Sequence, residues 1–185
     1  MARKTGNCPG CGGDVEFHSL MSLVTVCPYC HSVVARQDRQ LSDQGKIAEI
    51  TDSLSPLQLG LRGVWRGKAF RLIGRVQYKH SAGGVWDEWY ASFTDRKSGW
   101  LFEAQGRFGM LLAESVMAPA EIPPQASLVA GQRMKFDNQL TLQVSEVGHA
   151  VVAAAEGDLP FSPILQAEHR FADLDGSHGE LATID

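Results

Sequence analysis

Four cysteines, Cys8, Cys11, Cys27 and Cys30, stand as two C-x2-C pairs separated by fifteen residues. Each short turn aims two sulfurs at one point, and bringing the turns together closes a tetrahedron of thiolates around a zinc ion. Pro9 and Pro28 stiffen the turns, while Gly12 and Gly13 loosen the exit from the first. Four sulfurs fill a tetrahedral shell, so the spacing predicts one structural zinc per chain with no open position for catalysis. Two other chemistries share the letters. Cys27-Pro28-Tyr29-Cys30 has the form of a glutaredoxin-like redox motif. That fold wants a long helix after the motif, whereas Ser32-Val33-Val34-Ala35 reads as a strand, and the other cysteine pair would have no role. Cys27 to His31 spells the CxxCH of c-type haem attachment, which requires export, and the N-terminus shows no apolar export segment. His31 is read as flanking the knuckle.

The elements that must position these sulfurs follow from the surrounding residues. Val15 and Phe17, then Leu23, Val24 and Val26, suit two short strands of a hairpin, giving a zinc ribbon over residues 1–38. So small a module cannot be held by core burial, and metal binding contributes its folding energy, about 10 kcal/mol or more. Residues 39–58 read as a short helical linker: Ser42 or Asp43 can cap it, Ile47 and Ile50 share a side, and Pro56 ends it. From residue 59 to 185 the period is two. Phe70, Leu72, Gly74, Val76 and Tyr78 alternate with Arg71, Ile73, Arg75, Gln77 and Lys79. A return strand runs from Trp86 to Thr94, and short strands begin at Trp100 and Met110. The pattern predicts a mainly β protein, with an antiparallel barrel or sandwich behind the ribbon. Gly60, Arg62, Trp65 and Gly67 recur 71 positions later as Gly131, Arg133, Phe136 and Asn138. The body thus reads as two related β units, 59–114 and 125–185, joined through the proline-rich stretch Pro119 to Pro124.

Two further sets of residues could bind. Trp86, Glu88, Tyr90, Trp100 and Glu103 gather aromatic rings beside carboxylates, with Trp86, Glu88 and Tyr90 on the strand face opposite Trp89 and Phe93. Turned outward, they would form a protein-binding groove; turned inward, a core. Glu88 and Glu103 could also approach one another, but no nucleophile or metal motif accompanies them. Arg62, Arg66, Lys68, Arg71 and Arg75 form a basic cluster that could follow a single-stranded nucleic acid, with Trp86 and Tyr90 as stacking platforms. Whole-chain charge argues against a general nucleic-acid binder: 17 basic against 21 acidic residues give −4. That charge is uneven, with nine basic and five acidic residues over 59–114 and three against ten over 115–185. The longest apolar run, Ala150 to Ala155, is far shorter than the roughly 20 residues of a membrane span, and the expected compartment is the cytoplasm.

Several motifs together carry a resemblance. Cys8–Gly12 with Cys27–Cys30, Ser55–Gly60, Trp86–Tyr90, Gly99–Gly106 and Glu156–Phe161 resemble, in order, the bacterial domain of unknown function 4178 family. The resemblance implies a β-rich domain, often behind a zinc ribbon, without an established activity. It also implies a chain that continues past Thr183-Ile184-Asp185. The expected function is non-enzymatic: a zinc-stabilised adaptor that docks another protein or a further part of its own chain. Single-stranded nucleic-acid binding and an enzyme of unknown class are the alternatives.

Overall fold

The computed structural model describes residues 4–37, 40–51, 55–104, 107–112, 122–136 and 140–184. Its strands are β1 (Lys4–Asn7), β2 (Asp14–Phe17), β3 (Val24–Val26), β4 (Ser32–Gln37), β5 (Gln40–Lys46), β6 (Arg62–Trp65) and β7 (Lys68–His80). There follow β8 (Val85–Phe93), β9 (Ser98–Ala104), β10 (Arg107–Leu112), β11 (Arg133–Phe136), β12 (Leu140–Leu159), β13 (Glu168–Gly176) and β14 (Leu181–Ile184). One 3-10 turn at Gln125–Ser127 is the sole helical element among the described residues. All pairings are antiparallel, as the period of two predicts. β1 and β2 form a small sheet, and a large sheet runs β10-β9-β8-β7-β12-β3-β4-β5. β13 and then β14 continue from β12, while β6 and β11 flank β7 and β12. The sheet curls until Cα atoms of β10 and β14 come within 8 Å, but these strands do not pair and the sheet stays open.

The N-terminal region differs from expectation in two ways. The ribbon's strands do not pair with each other: β2 pairs with β1, and β3 with β4. Residues 40–46 of the linker are a strand rather than a helix, because β4 offers β5 an edge along Ser32–Gln37. Gly45 takes a φ of +102°, and its N–H is accepted by Asp43 Oδ1 at 2.9 Å, a local turn that competes with helix. The chain then runs without regular structure to Thr51, and Ile47 drops into the core shared by ribbon and body. The proline-rich join as far as Glu121, and Asn138, lie outside the described residues.

In the body, a bulge between Leu72 and Gly74 breaks the alternation of β7. Leu72 therefore joins Trp89, Ala91, Phe93 and Leu101 in one core, while Val76 and Tyr78 join Tyr90, Val152, Ala155 and Leu159 in another. Ribbon residues Val24, Val26 and Val33 belong to this second core. Both faces of the central strands are covered, so β8 is buried on both sides of its pleat.

Several local features of residues 60–101 recur in residues 131–184. Gly60 and Gly131 adopt φ of +87° and +86°, a region open to glycine. Their N–H groups donate to Leu72 and Val144 carbonyls at 2.8 and 2.7 Å. The bulge between Leu72 and Gly74 recurs between Val144 and Glu146. Leu72 opposite Ala91 matches Val144 opposite Leu174, and Trp89 opposite Leu101 matches Ala172 opposite Ile184. The long strands align at 72 positions rather than 71, because the β6–β7 turn is one residue shorter than the β11–β12 turn. β7 and β12 pair so that Tyr78 meets Val152 and His80 meets Ala150, which places a pseudo-twofold at Lys79 and Val151.

Gly74 sits where these central strands touch. A Cβ there would lie 1.8 Å from the Asp158 carbonyl oxygen. We expect Gly74→Ala to destabilise the chain by about 2 kcal/mol or more, read as a lower urea midpoint in the metal-loaded protein.

Candidate metal centre and its surroundings

The four sulfurs come together because tight turns hold each pair and strand pairing fixes the turns. Cys8 N–H donates to the Gly13 carbonyl, and Cys27 N–H to the Ser32 carbonyl, at 2.8 and 2.9 Å. All four Sγ atoms lie within 4.8 Å of one another. Cys8 to Cys30 and Cys11 to Cys27 are both 3.7 Å, against the roughly 3.8 Å edge of a tetrahedron built on bonds of about 2.3 Å. The four thiols form a cluster that could hold a metal ion, and among the described residues no other group of three or more candidate ligands assembles. Cys8 and Cys27 are buried against Val15 and Val34, so one side of the site is dry.

The protonation of this cluster is uneven. Burial, chiefly, raises the Cys8 thiol. The Gly13 backbone draws Cys11 down, but crowding by the sulfurs of Cys30, Cys27 and Cys8, with burial, carries it to about 12. The Ser32 hydroxyl and backbone, with lesser help from other sulfurs, hold Cys30 at about 6. Protons therefore compete with a metal for Cys8 and Cys11 at neutral pH.

Polar groups that the sequence did not single out tie the ribbon to the body. Asp158, on β12, is fully buried and accepts from the His18 N–H at 2.6 Å and the Ser22 hydroxyl at 2.9 Å. β12 also pairs with β3 through Asp158 and Thr25. Arg36 lies over the Phe17 ring at 4.8 Å and donates to the Ser19, Leu20 and Ser22 carbonyls. Asp158 was visible only as a member of the Glu156–Phe161 motif, which gave no hint of its partners. Beneath the linker, Gln77 donates to the Thr51 carbonyl at 2.9 Å and accepts from the Thr51 N–H at 3.2 Å.

The aromatic set does not form an outward groove. Tyr90 is 1% exposed inside the core shared with the ribbon, and Trp86 and Trp100 pack against that core. Trp86 stacks on Tyr78 with centroids 5.3 Å apart, and Trp100 meets Tyr90 at 5.1 Å. The cause is the second covered face of β8, which alternation along one strand cannot reveal. Glu88 accepts from the Trp86 indole N–H, and Glu103 from the Ser55 hydroxyl at 2.6 Å. Glu88 is opposite Phe102, so Glu103 points to the other face and the two carboxylates do not meet.

The basic set is likewise divided, because the bulge in β7 reverses the facing of everything after it. Arg62 and Arg71 are paired across β6 and β7, Arg66 sits in the turn, and Lys68 binds Asp95 at 2.7 Å. Arg75 is buried over the Trp89 ring, 2.7 Å from Asp87 and 3.5 Å from Glu156. Arg71 and Arg75 line a cleft of about 920 Å³ between ribbon and body that also holds His18, Glu156 and Asp158.

These features define a mainly β protein of open antiparallel sheets with a four-cysteine cluster near the start of the chain that could hold a metal ion. The chain belongs to the family described as domain of unknown function DUF4178, whose pattern matches residues 58–185. The match covers the doubled body; the cysteine cluster lies before it. No curated protein and no solved structure matches the chain. No helix among the described residues is long and apolar enough to cross a membrane.

We expect one metal ion per chain in native mass spectra, lost in the Cys8→Ser/Cys27→Ser variant and released progressively as the solution is acidified. Asp87→Asn should destabilise the fold by about 2 kcal/mol or more by removing the nearer and more buried of the two carboxylates beside Arg75, Asp87 at 2.7 Å against Glu156 at 3.5 Å. A double-mutant cycle with Arg75→Met, followed by urea denaturation, should recover much of that loss.

Proposed function

We propose that the protein is a non-enzymatic, zinc-stabilised interaction module, and that the ribbon loop presents its docking surface. The observation that carries this reading is the loop between β2 and β3. Leu20, Met21 and Leu23 are 68%, 54% and 59% exposed. Beneath them the backbone is held by Arg36 and Asp158. Apolar side chains on a polar-clamped loop cost little entropy to dock and gain by leaving water. Zinc suits the donor set because four thiolates at tetrahedral spacing satisfy it without a substrate position, which makes the ion structural. The partner is a protein carrying an apolar recess, met in the cytoplasm, where thiols stay reduced.

The triple variant Leu20→Ser/Met21→Ser/Leu23→Ser tests this. It should keep its metal and its melting temperature yet lose the proteins that the wild-type chain captures from its native host. Capture of the same proteins by both chains would refute the reading.

A further inference from the structure

One pair of cations in the body has no counter-charge. Arg62 on β6 and Arg71 on β7 stand directly opposite one another, so both side chains leave the same face of the sheet. Like charges set opposite across two strands repel. Among the described residues neither guanidinium has a carboxylate at ion-pair distance, whereas Lys68 is held by Asp95 and Arg75 by Asp87 and Glu156. Arg71 Nε is buried and has no hydrogen-bond partner there, and an unmet buried donor is costly. The Arg71 guanidinium lies across Gly60, where a Cβ would stand 3.5 Å from Nη2, so bare backbone is all that faces it on that side. Gly60 and Arg71 both line the cleft between ribbon and body. Most acids of that cleft are engaged elsewhere: Glu156 with Arg75, Glu16 and Asp158 with His18, and Asp14 with Asn7. Glu49 is exposed. On the third strand of the same row, half-buried Ser92 stands opposite Arg71.

We propose that Arg62 and Arg71 bind a dianionic phosphate group, free or at the end of a small phosphomonoester, that enters the cleft beside Gly60. Two unneutralised guanidinium groups match the roughly −1.5 to −2 charge that a phosphomonoester carries near neutral pH. Each planar fork can hold two phosphate oxygens, a geometry that a lysine would not provide. The Arg71 Nε–H donates to one of those oxygens and is no longer isolated. The Ser92 hydroxyl is placed to add a further donor. The local field has the right sign as well. The β6–β7 and β8–β9 turns lie side by side, with the Thr94 N–H donating to the Ala69 carbonyl at 3.1 Å. They carry Arg66, Lys68, Arg96 and Lys97 against Asp95, which Lys68 already holds. This site lies on the body, and it stands or falls separately from the docking role of the ribbon loop.

Inorganic phosphate and glycerol 3-phosphate are the probes, titrated at fixed ionic strength into the full metal-loaded chain while proton–nitrogen NMR follows the backbone amides and the arginine Nε–H groups. We expect saturable shifts at the Arg71 Nε–H and at the amides of Gly60, Arg62 and Ser92. Affinity should fall at least about tenfold in Arg71→Met and in Arg71→Lys, the second keeping the charge but not the fork, with the melting temperature and metal content unchanged. Tighter binding of glycerol 3-phosphate names an ester as the ligand, and equal or tighter binding of inorganic phosphate names the free ion; either supports the site. No saturation by about 20 mM of either probe overturns it. So do shifts that chloride reproduces at the same ionic strength, or that survive intact in Arg71→Met. A single-stranded oligothymidylate that binds where neither probe does would assign the arginines to a nucleic-acid backbone and also overturn the proposal.

Discussion

The pairing of β7 with β12 is the contact on which the other elements depend. It joins the two β units about a pseudo-twofold at Lys79 and Val151, and it draws the strands together until Gly74 meets the backbone at Asp158. β12 then continues past the first unit's edge and pairs with β3 at Asp158 and Leu159. One twenty-residue strand thus carries part of the core around Val144 and Leu142, the pairing with β7 and the attachment of the cysteine ribbon. Its length explains why the ribbon is part of the large sheet instead of a tethered ornament.

Two kinds of force meet at that attachment. Apolar burial unites Val24, Val26 and Val33 with Val76, Tyr78, Tyr90, Val152 and Leu159. Asp158 adds direction: a carboxylate removed from water is tolerable only when donors surround it, and His18 and Ser22 supply them. The cysteine cluster that could hold a metal ion lies on the same ribbon. Its thiols are held by turns whose ends are strands of these sheets, so metal binding and packing of the ribbon on the body support one another.

Much of the local chemistry was legible because it is short-range. The two C-x2-C turns need only their own residues and a route for the chain to return, and the four sulfurs gather accordingly. The period of two announced the strands. The weak pattern at 71 positions includes two glycines, Gly60 and Gly131, that share a positive φ. The linker was misread because Ser42, Asp43 and Ile47 suit a helix cap and stripe in isolation, while the free edge of β4 was invisible. The choice between groove and core for the aromatic set, and the splitting of the basic set, were hidden for a related reason. Alternation tells which residues share a face, but it does not tell what covers that face, and a bulge at Ile73 reverses it midway.

The sequence by itself determined the gathering of the four cysteines and the antiparallel β character, because both are written in spacings that the chain cannot alter by folding. Only the tertiary structure decided that Tyr90 and Arg75 are interior, that Glu88 and Glu103 face apart, and that Asp158 binds the ribbon to the body. Those outcomes depend on partners as far as 140 positions away, as between His18 and Asp158. Physical burial is a property of the surfaces that meet, and no single stretch of residues contains both of them.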